Sequence, residues 1–300
     1  MAARYERFRT AFEAQHAAID AEFHQHDVVV NSIHWHYVDE GAPDGQVILF
    51  LHGFPECWYS WSKVLRQVDH HYRLIAIDLK GYGRSEAQDD DYNWHTVASQ
   101  TLDLMTAMGI KDFFVVSHDW GSIIGSVMVS DHPDRILGYV RMEADLAKPD
   151  ESRLGNYRHR LQWLLFQHHW LASYLMQDAN TVIYFTYRRR LKAPIERADH
   201  DYLVYELSRP GAADRVPRYF LRENWDLDAG FSKICENTFP FPVLQLQADR
   251  DPAQEMSSIA SAAKRCPHVR IEWISNSSHF SNFDQPGQVA AYVNEFVHGL

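Results

Sequence analysis

This 300-residue chain has no run of about 18 consecutive apolar residues, the length a helix needs to cross a bilayer, so no membrane partner is expected. Its first residues, MAARYERFRTAFEAQHAAIDAEFHQH, carry charges throughout and lack the apolar stretch of a secretion signal. Phe8, Phe12 and Ile19 there fit a loose helical stripe suited to packing. Positive charge is also short: 29 Lys+Arg against 40 Asp+Glu leave a net −11, which argues against a nucleic-acid partner. Cysteine is scarce. Cys57, Cys235 and Cys266 are odd in number and scattered, and they read as reduced thiols of a cytoplasmic chain. Eighteen histidines invite a metal reading, but the HQH, HWH and HH pairs among them are off any recognised ligand spacing, so no metal is expected, and no cofactor either.

What is present supports a large core, with 46% hydrophobic and 13% aromatic residues. DVVVNSIHWHYVDEG (27–41) reads as two short strands, and QVILFLHG (46–53) as a strand buried on both faces. WSKVLRQVDH has helical spacing, YRLIAIDLKGYG (72–83) is a second buried strand, and a helix over 93–109 stops at Gly109. DFFVVSHDWG, SIIGSVMVSDHP and ILGYVRMEAD continue as strand, helix and strand. This alternation predicts an α/β fold with a mostly parallel central sheet and helices on both faces. Functional groups in such sheets gather at the carboxyl ends of the strands, where His52, Asp78, Asp119 and Glu143 fall.

From 147 to 225 strand signals vanish, and RLQWLLFQHHWLASYLM and ANTVIYFTYRRRL read as aromatic-rich helices. The expected division is a core of 1–146 with its N-terminal helix, an inserted helical lid of 147–225, and a returning core of 226–300. In that last part FPVLQLQADRDP and HVRIEWISNSSHF are strands, and PGQVAAYVNEFVHGL closes the chain as a helix.

VVSHDWGSIIG (115–125) has the form of a sharp strand-to-helix turn that exposes a nucleophile, with Asp119 at its centre between Ser117 and Gly121. The acids at 143 and 251 and the histidine at 279 follow in the chain order nucleophile, acid, histidine. With HGFPECWYSW (52–61), DLKGYGRS (78–85) and SHDWGS (117–122), the chain resembles the epoxide hydrolase branch of the α/β-hydrolase fold, which is related to haloalkane and haloacetate dehalogenases. The likeness is close over 46–135, recognisable over 240–300 and weak in the lid.

A carboxylate can displace at saturated carbon and leave an alkyl ester on the enzyme. Water must then attack that ester, which calls for a base, His279, and an acid that orients it. The tetrahedral intermediate needs an oxyanion hole, for which the amides of Trp120 and Phe54 are the natural donors, and the resemblance implies the same pair. Without the flanking blocks Asp119 would read as a helix N-cap, and a lone histidine at 279 as a surface or core residue. For the orienting acid the resemblance selects Asp251, with Ala248 where the family has glycine and Asp249 as a loop residue. Glu143, at the end of the strand after the nucleophile helix, is the alternative, as in one haloalkane dehalogenase subgroup.

The resemblance implies ring opening by two lid tyrosines. Tyr219 in VPRYFLRENW matches the second, whereas the first place is taken by Gln162 or Trp163, with Tyr157, His168 and His169 as substitutes. Together with His52, the residues Gln162, Trp163, His168 and His169 are the expected substrate contacts. Trp163, Phe166, Trp170, Tyr174 and Phe185 suggest an apolar or aromatic pocket, or equally a dry interface between lid and core. A haloalkane-type dehalogenase would use the same nucleophile, but Phe54 stands where it needs an asparagine donor. Trp120 and Ile123 replace the arginines of fluoroacetate-type enzymes. A non-enzymatic ligand-binding protein of the same fold is the third reading. The expected partners are a small-molecule substrate and water, and a homodimer is compatible with them.

Overall fold

The computed structural model describes residues 13–146, 164–226, 233–236, 239–252 and 256–300. Phe8, Phe12, Tyr157, Gln162 and Trp163, to which sequence reading gave roles, lie outside them.

A helix over 13–20, α1, leads into β1 (Gln25–Val30) and β2 (Ile33–Gly41), an antiparallel pair that turns at Asn31 and Ser32 with φ of 51° and 62°. The other strands are β3 (Val47–Leu51), β4 (Arg73–Ile77), the two-residue β5 (Glu86–Ala87), β6 (Phe113–His118), β7 (Ile136–Met142), β8 (Val243–Ala248) and β9 (Val269–Ile274). They form one sheet in the order β1-β2-β4-β3-β6-β7-β8-β9, with β5 paired to β2. Pairing is parallel from β4 to β9. The continuous apolar run VILFL lies at the centre, where Leu49 pairs with Ile75 on one side and Val115 on the other. Both faces of a parallel sheet are covered by crossover helices, so every residue of that run is buried.

Two of the covering helices are α2 (Trp94–Ala107) and α3 (Trp120–Asp131). The Asn93 side chain caps α2 by accepting the His95 N–H at 3.0 Å. Two others, α7 (Met256–Arg265) and α8 (Pro286–His298), follow β8 and β9. The helix expected from WSKVLRQVDH is shorter than its pattern: a 3₁₀ turn over Trp58–Trp61 and one α-helical turn over Ser62–Leu65. Between β7 and β8 the described residues are helical, with α4 (His169–Met176), α5 (Ala179–Arg190), α6 (Arg197–Leu207) and short turns through Asn224. No described helix is long and apolar enough to cross a membrane.

The cysteines depart from expectation. Cys235 and Cys266 form a disulfide with Cα atoms 4.5 Å apart, and Cys57 is the buried free thiol. The two are 31 residues apart in sequence, and only the packing of the segment before β8 beside the end of α7 brings them together. The reduced-thiol reading is corrected on this point.

Candidate active site

Asp119 occupies the one-residue break between β6 and α3, with φ 49° and ψ −117°. That conformation is costly for a residue with a side chain and persists only where its surroundings enforce it. Two glycines do so. A Cβ on Gly121 would lie 2.4 Å from the Leu51 carbonyl oxygen, and one on Gly53 would lie 2.4 Å from Asp119 Cβ. Gly53→Ala should therefore push the β3 turn off Asp119 and reduce activity by about 100-fold or more. The check is steady-state kinetics on a variant whose thermal unfolding shows it folded. Activity near wild type would mean the turn has slack that the geometry denies.

Although Asp119 stands at the N-cap position, its side chain makes no capping bond. Its Oδ1 instead accepts the Phe54 N–H at 2.8 Å, and Oδ2 lies 3.2 Å from His279 Nε2. Trp120 is buried as the first residue of α3, where backbone N–H groups have no intrahelical acceptor. The other imidazole nitrogen of His279, Nδ1, lies 2.9 Å from Asp251 Oδ2. Burial by itself would lower the His279 pKa. The Asp251 charge and the hydrogen bonds to Asp119 and Asp251 overcome this and raise it to about 9. Burial by itself would raise the Asp119 pKa, but the hydrogen bond and charge of His279, the charge of His118 and the Phe54 amide hold it well below the usual carboxylate range. At neutral pH the pair is a carboxylate facing an imidazolium.

Of the two candidate acids, Asp251 is the one that meets His279. Glu143, at φ 45°, instead accepts the Ser281 hydroxyl at 2.6 Å, with its other oxygen 3.6 Å from His118 Nε2. Burial raises the Glu143 pKa to about 8. Asp249 accepts the amides of Asn276 and Ser277 at 3.0 and 3.1 Å, as suits a loop residue.

Several expected substrate contacts are placed elsewhere. The His52 ring is buried, with Nδ1 2.9 Å from the Gly53 carbonyl and Nε2 accepting the Leu79 N–H at 3.0 Å. Burial lowers its pKa, and a neutral ring with its proton on Nδ1 braces the turn. His168 is exposed, and His169 Nε2 lies 2.9 Å from the Asp214 carbonyl. Trp170, Tyr174 and Phe185 are 72%, 67% and 52% exposed, so they line no dry pocket. Phe166 does face inward. Its ring centroid is 4.8 Å from Phe220, which is 5.0 Å from Phe54 and 4.7 Å from Trp120. Tyr219 is buried beside this group, but its hydroxyl donates to the Lys80 carbonyl at 2.9 Å.

Sequence reading missed a buried brace. Glu56 accepts the Gly53 N–H at 2.6 Å and the Asn282 side-chain amide at 2.8 Å, and lies 2.8 Å from His118 Nδ1. His118 Nε2 donates to the His279 carbonyl at 2.8 Å. Burial opposes a charged ring there, yet the charge and hydrogen bond of Glu56 raise the His118 pKa to about 10. One ion pair thus joins the turn after β3, strand β6 and the loop that carries His279. The signal was an acid inside the apolar HGFPECW block.

Residues 46–286 match the α/β-hydrolase fold family. The chain belongs to that family. The α/β-hydrolase is 27% identical over 283 residues to epoxide hydrolase 2 of Caenorhabditis elegans, covering 90% of this chain and 79% of the relative. It is 24% identical over 294 residues to the AB hydrolase superfamily protein YfhM of Bacillus subtilis, covering 90% and 96%. Among solved structures, epoxide hydrolase CorEH superposes with a TM-score of 0.79 at 22% identity, covering 92% of this chain and 98% of its own. The haloalkane dehalogenase DbeA of Bradyrhizobium elkani superposes with a TM-score of 0.79 at 20% identity, covering 92% and 97%. At such identities the structural likeness carries the fold.

Proposed function

We propose that this α/β-hydrolase converts an apolar or aromatic epoxide to a vicinal diol through an alkyl ester on Asp119. The observation that carries this reading is the Asp119 carboxylate at the strand-to-helix turn, held between the Phe54 amide and His279. A carboxylate oxygen attacks a ring carbon, the carbon–oxygen bond of the ring breaks, and its electron pair goes to the ring oxygen. Tyr219 gives that oxygen a proton, the substrate oxygen replacing the Lys80 carbonyl as acceptor for its hydroxyl. Water then adds to the Asp119 carboxyl carbon while His279 Nε2 takes its proton. The amides of Phe54 and Trp120 hold the oxyanion. Collapse expels the diol oxygen, which takes the proton from His279, and the Asp119 carboxylic acid left behind passes its own proton to His279, restoring the carboxylate and the imidazolium. Esterification removes the negative charge that faces His279, so the imidazolium becomes more acidic and returns a proton, by way of solvent, to the Tyr219 phenolate, which leaves the neutral base for the second step. Helices α4, α5 and α6 serve as the lid, and Phe54, Phe166 and Phe220 suit an apolar substrate.

A haloalkane dehalogenase would begin with the same attack, and the fold likeness to DbeA keeps it as the second reading. The deciding assay offers a styrene-type epoxide and a 1-haloalkane in parallel and reads diol formation and halide release. Diol without halide is expected, and halide without diol would overturn the proposal. Tyr219→Phe should slow ester formation by about 10²–10⁴-fold, the usual contribution of a general acid. Rapid-quench mass spectrometry measures that step. An unchanged rate would remove Tyr219 from the mechanism without touching the ester.

A further inference from the structure

Strand β8 reads Val-Leu-Gln-Leu-Gln-Ala, and all six residues are buried. Two glutamines on the inside of a core strand are expensive unless their amides find partners. They alternate, so both project to one face of the sheet. Gln245 Nε2 donates to the Ala144 carbonyl and to Gln247 Oε1, each at 3.3 Å. Gln247 Nε2 donates at 3.3 Å to Asp251 Oδ2, the same oxygen that lies 2.9 Å from His279 Nδ1. A row of buried amides therefore ends on the carboxylate that orients the base.

We propose that Gln247, held in register by Gln245, is a positioning residue that sets both the orientation of Asp251 and the share of its charge available to His279. The catalytic consequence rests on the function proposed above; the electrostatic one does not. A second donor on Oδ2 draws charge away from the bond to His279 and keeps the carboxylate from rotating. Without it, Asp251 binds the imidazolium more tightly and the ring gives up its proton less readily. Other charges also face this pair. They are Asp119 from the β6–α3 turn, Glu143 and Asp145 from the segment after β7, and Arg190 from α5. His118 on β6 touches the His279 carbonyl, and Arg141 on β7 is the register partner of Gln245. None of these is altered by replacing Gln247 with an uncharged side chain of similar length.

The test is a titration of His279 followed by ¹⁵N-histidine NMR in the full-length chain, its signal assigned by its loss in His279→Asn. In Gln247→Met the midpoint should move up by about 0.5–1 pH unit, the effect of one hydrogen bond on a charged partner. Gln245→Met should move it the same way by less. If the proposed reaction holds, the acid limb of ester hydrolysis moves with it, and kcat falls while KM stays within about twofold. An unchanged His279 midpoint in folded Gln247→Met would reduce the row to core filling and overturn the proposal. Should that variant not fold, an unchanged midpoint in Gln245→Met would overturn it equally. A shifted midpoint in a protein that forms neither ester nor diol would uphold the electrostatic link while the proposed function failed.

Discussion

Replacing His279 with asparagine should yield a protein that alkylates itself once and stops. Ester formation needs the Asp119 carboxylate, which the substitution leaves in place, whereas ester hydrolysis needs a base at Nε2, 3.2 Å from Asp119 Oδ2. Losing a general base costs on the order of 10²–10⁴-fold, enough for the adduct to outlast the experiment. Intact mass after incubation with a styrene-type epoxide should increase by one substrate mass, and peptide mapping should place it on Asp119. The adduct should be absent in Asp119→Asn, which removes the nucleophile. A His279→Asn protein that turns over at the wild-type rate, or carries its adduct elsewhere, would end the ester mechanism.

The second large effect separates two buried carboxyl groups. Asp251→Asn should lower ester hydrolysis by about 10³–10⁴-fold, because the amide no longer favours the imidazolium and permits the wrong tautomer. Glu143→Gln should leave turnover within about tenfold, since Glu143 bonds Ser281 and makes no hydrogen bond to His279 among the described residues. Stability should behave in the opposite sense to activity. The Glu143 carboxyl, raised by burial to about 8 from an ordinary 4.5, keeps its proton in the folded state. Between those values the folded chain binds more protons at this site than the unfolded chain. Its contribution to stability is present at low pH and is lost as pH rises through that window. Glutamine is neutral at every pH, so Glu143→Gln should flatten this decline, and its advantage over wild type should grow from pH 5 to pH 8. Denaturant unfolding at several pH values measures it. Ester trapping by Glu143→Gln rather than Asp251→Asn would reverse the assignment of the acid.

The strand–helix alternation was legible because a parallel sheet covered on both faces needs unbroken apolar runs, as in VILFL at 47–51. The turn at Asp119 was legible because close approach demands Gly53 and Gly121, and both stand in the sequence as glycine. Less readable were hydrogen-bond partners. His52 lies in the right block, yet the Gly53 carbonyl and the Leu79 amide occupy its ring nitrogens. Tyr219 lies near the site, yet its hydroxyl is turned to Lys80, 139 residues away in the chain.

By itself, then, the sequence determined the fold family, the strand ends at which chemistry gathers, and Asp119 with His279 as the pair to examine. These follow from periodicity and from the residue types a sharp turn tolerates, which are local properties. Tertiary structure alone decided that Asp251 rather than Glu143 meets His279, that Cys235 pairs with Cys266, and that Glu56 and His118 brace the site from below. Each depends on where segments far apart in the chain come to rest and on which way a side chain turns there. A buried donor or acceptor must find a partner within about 3 Å, and packing, not spacing, chooses which one it finds.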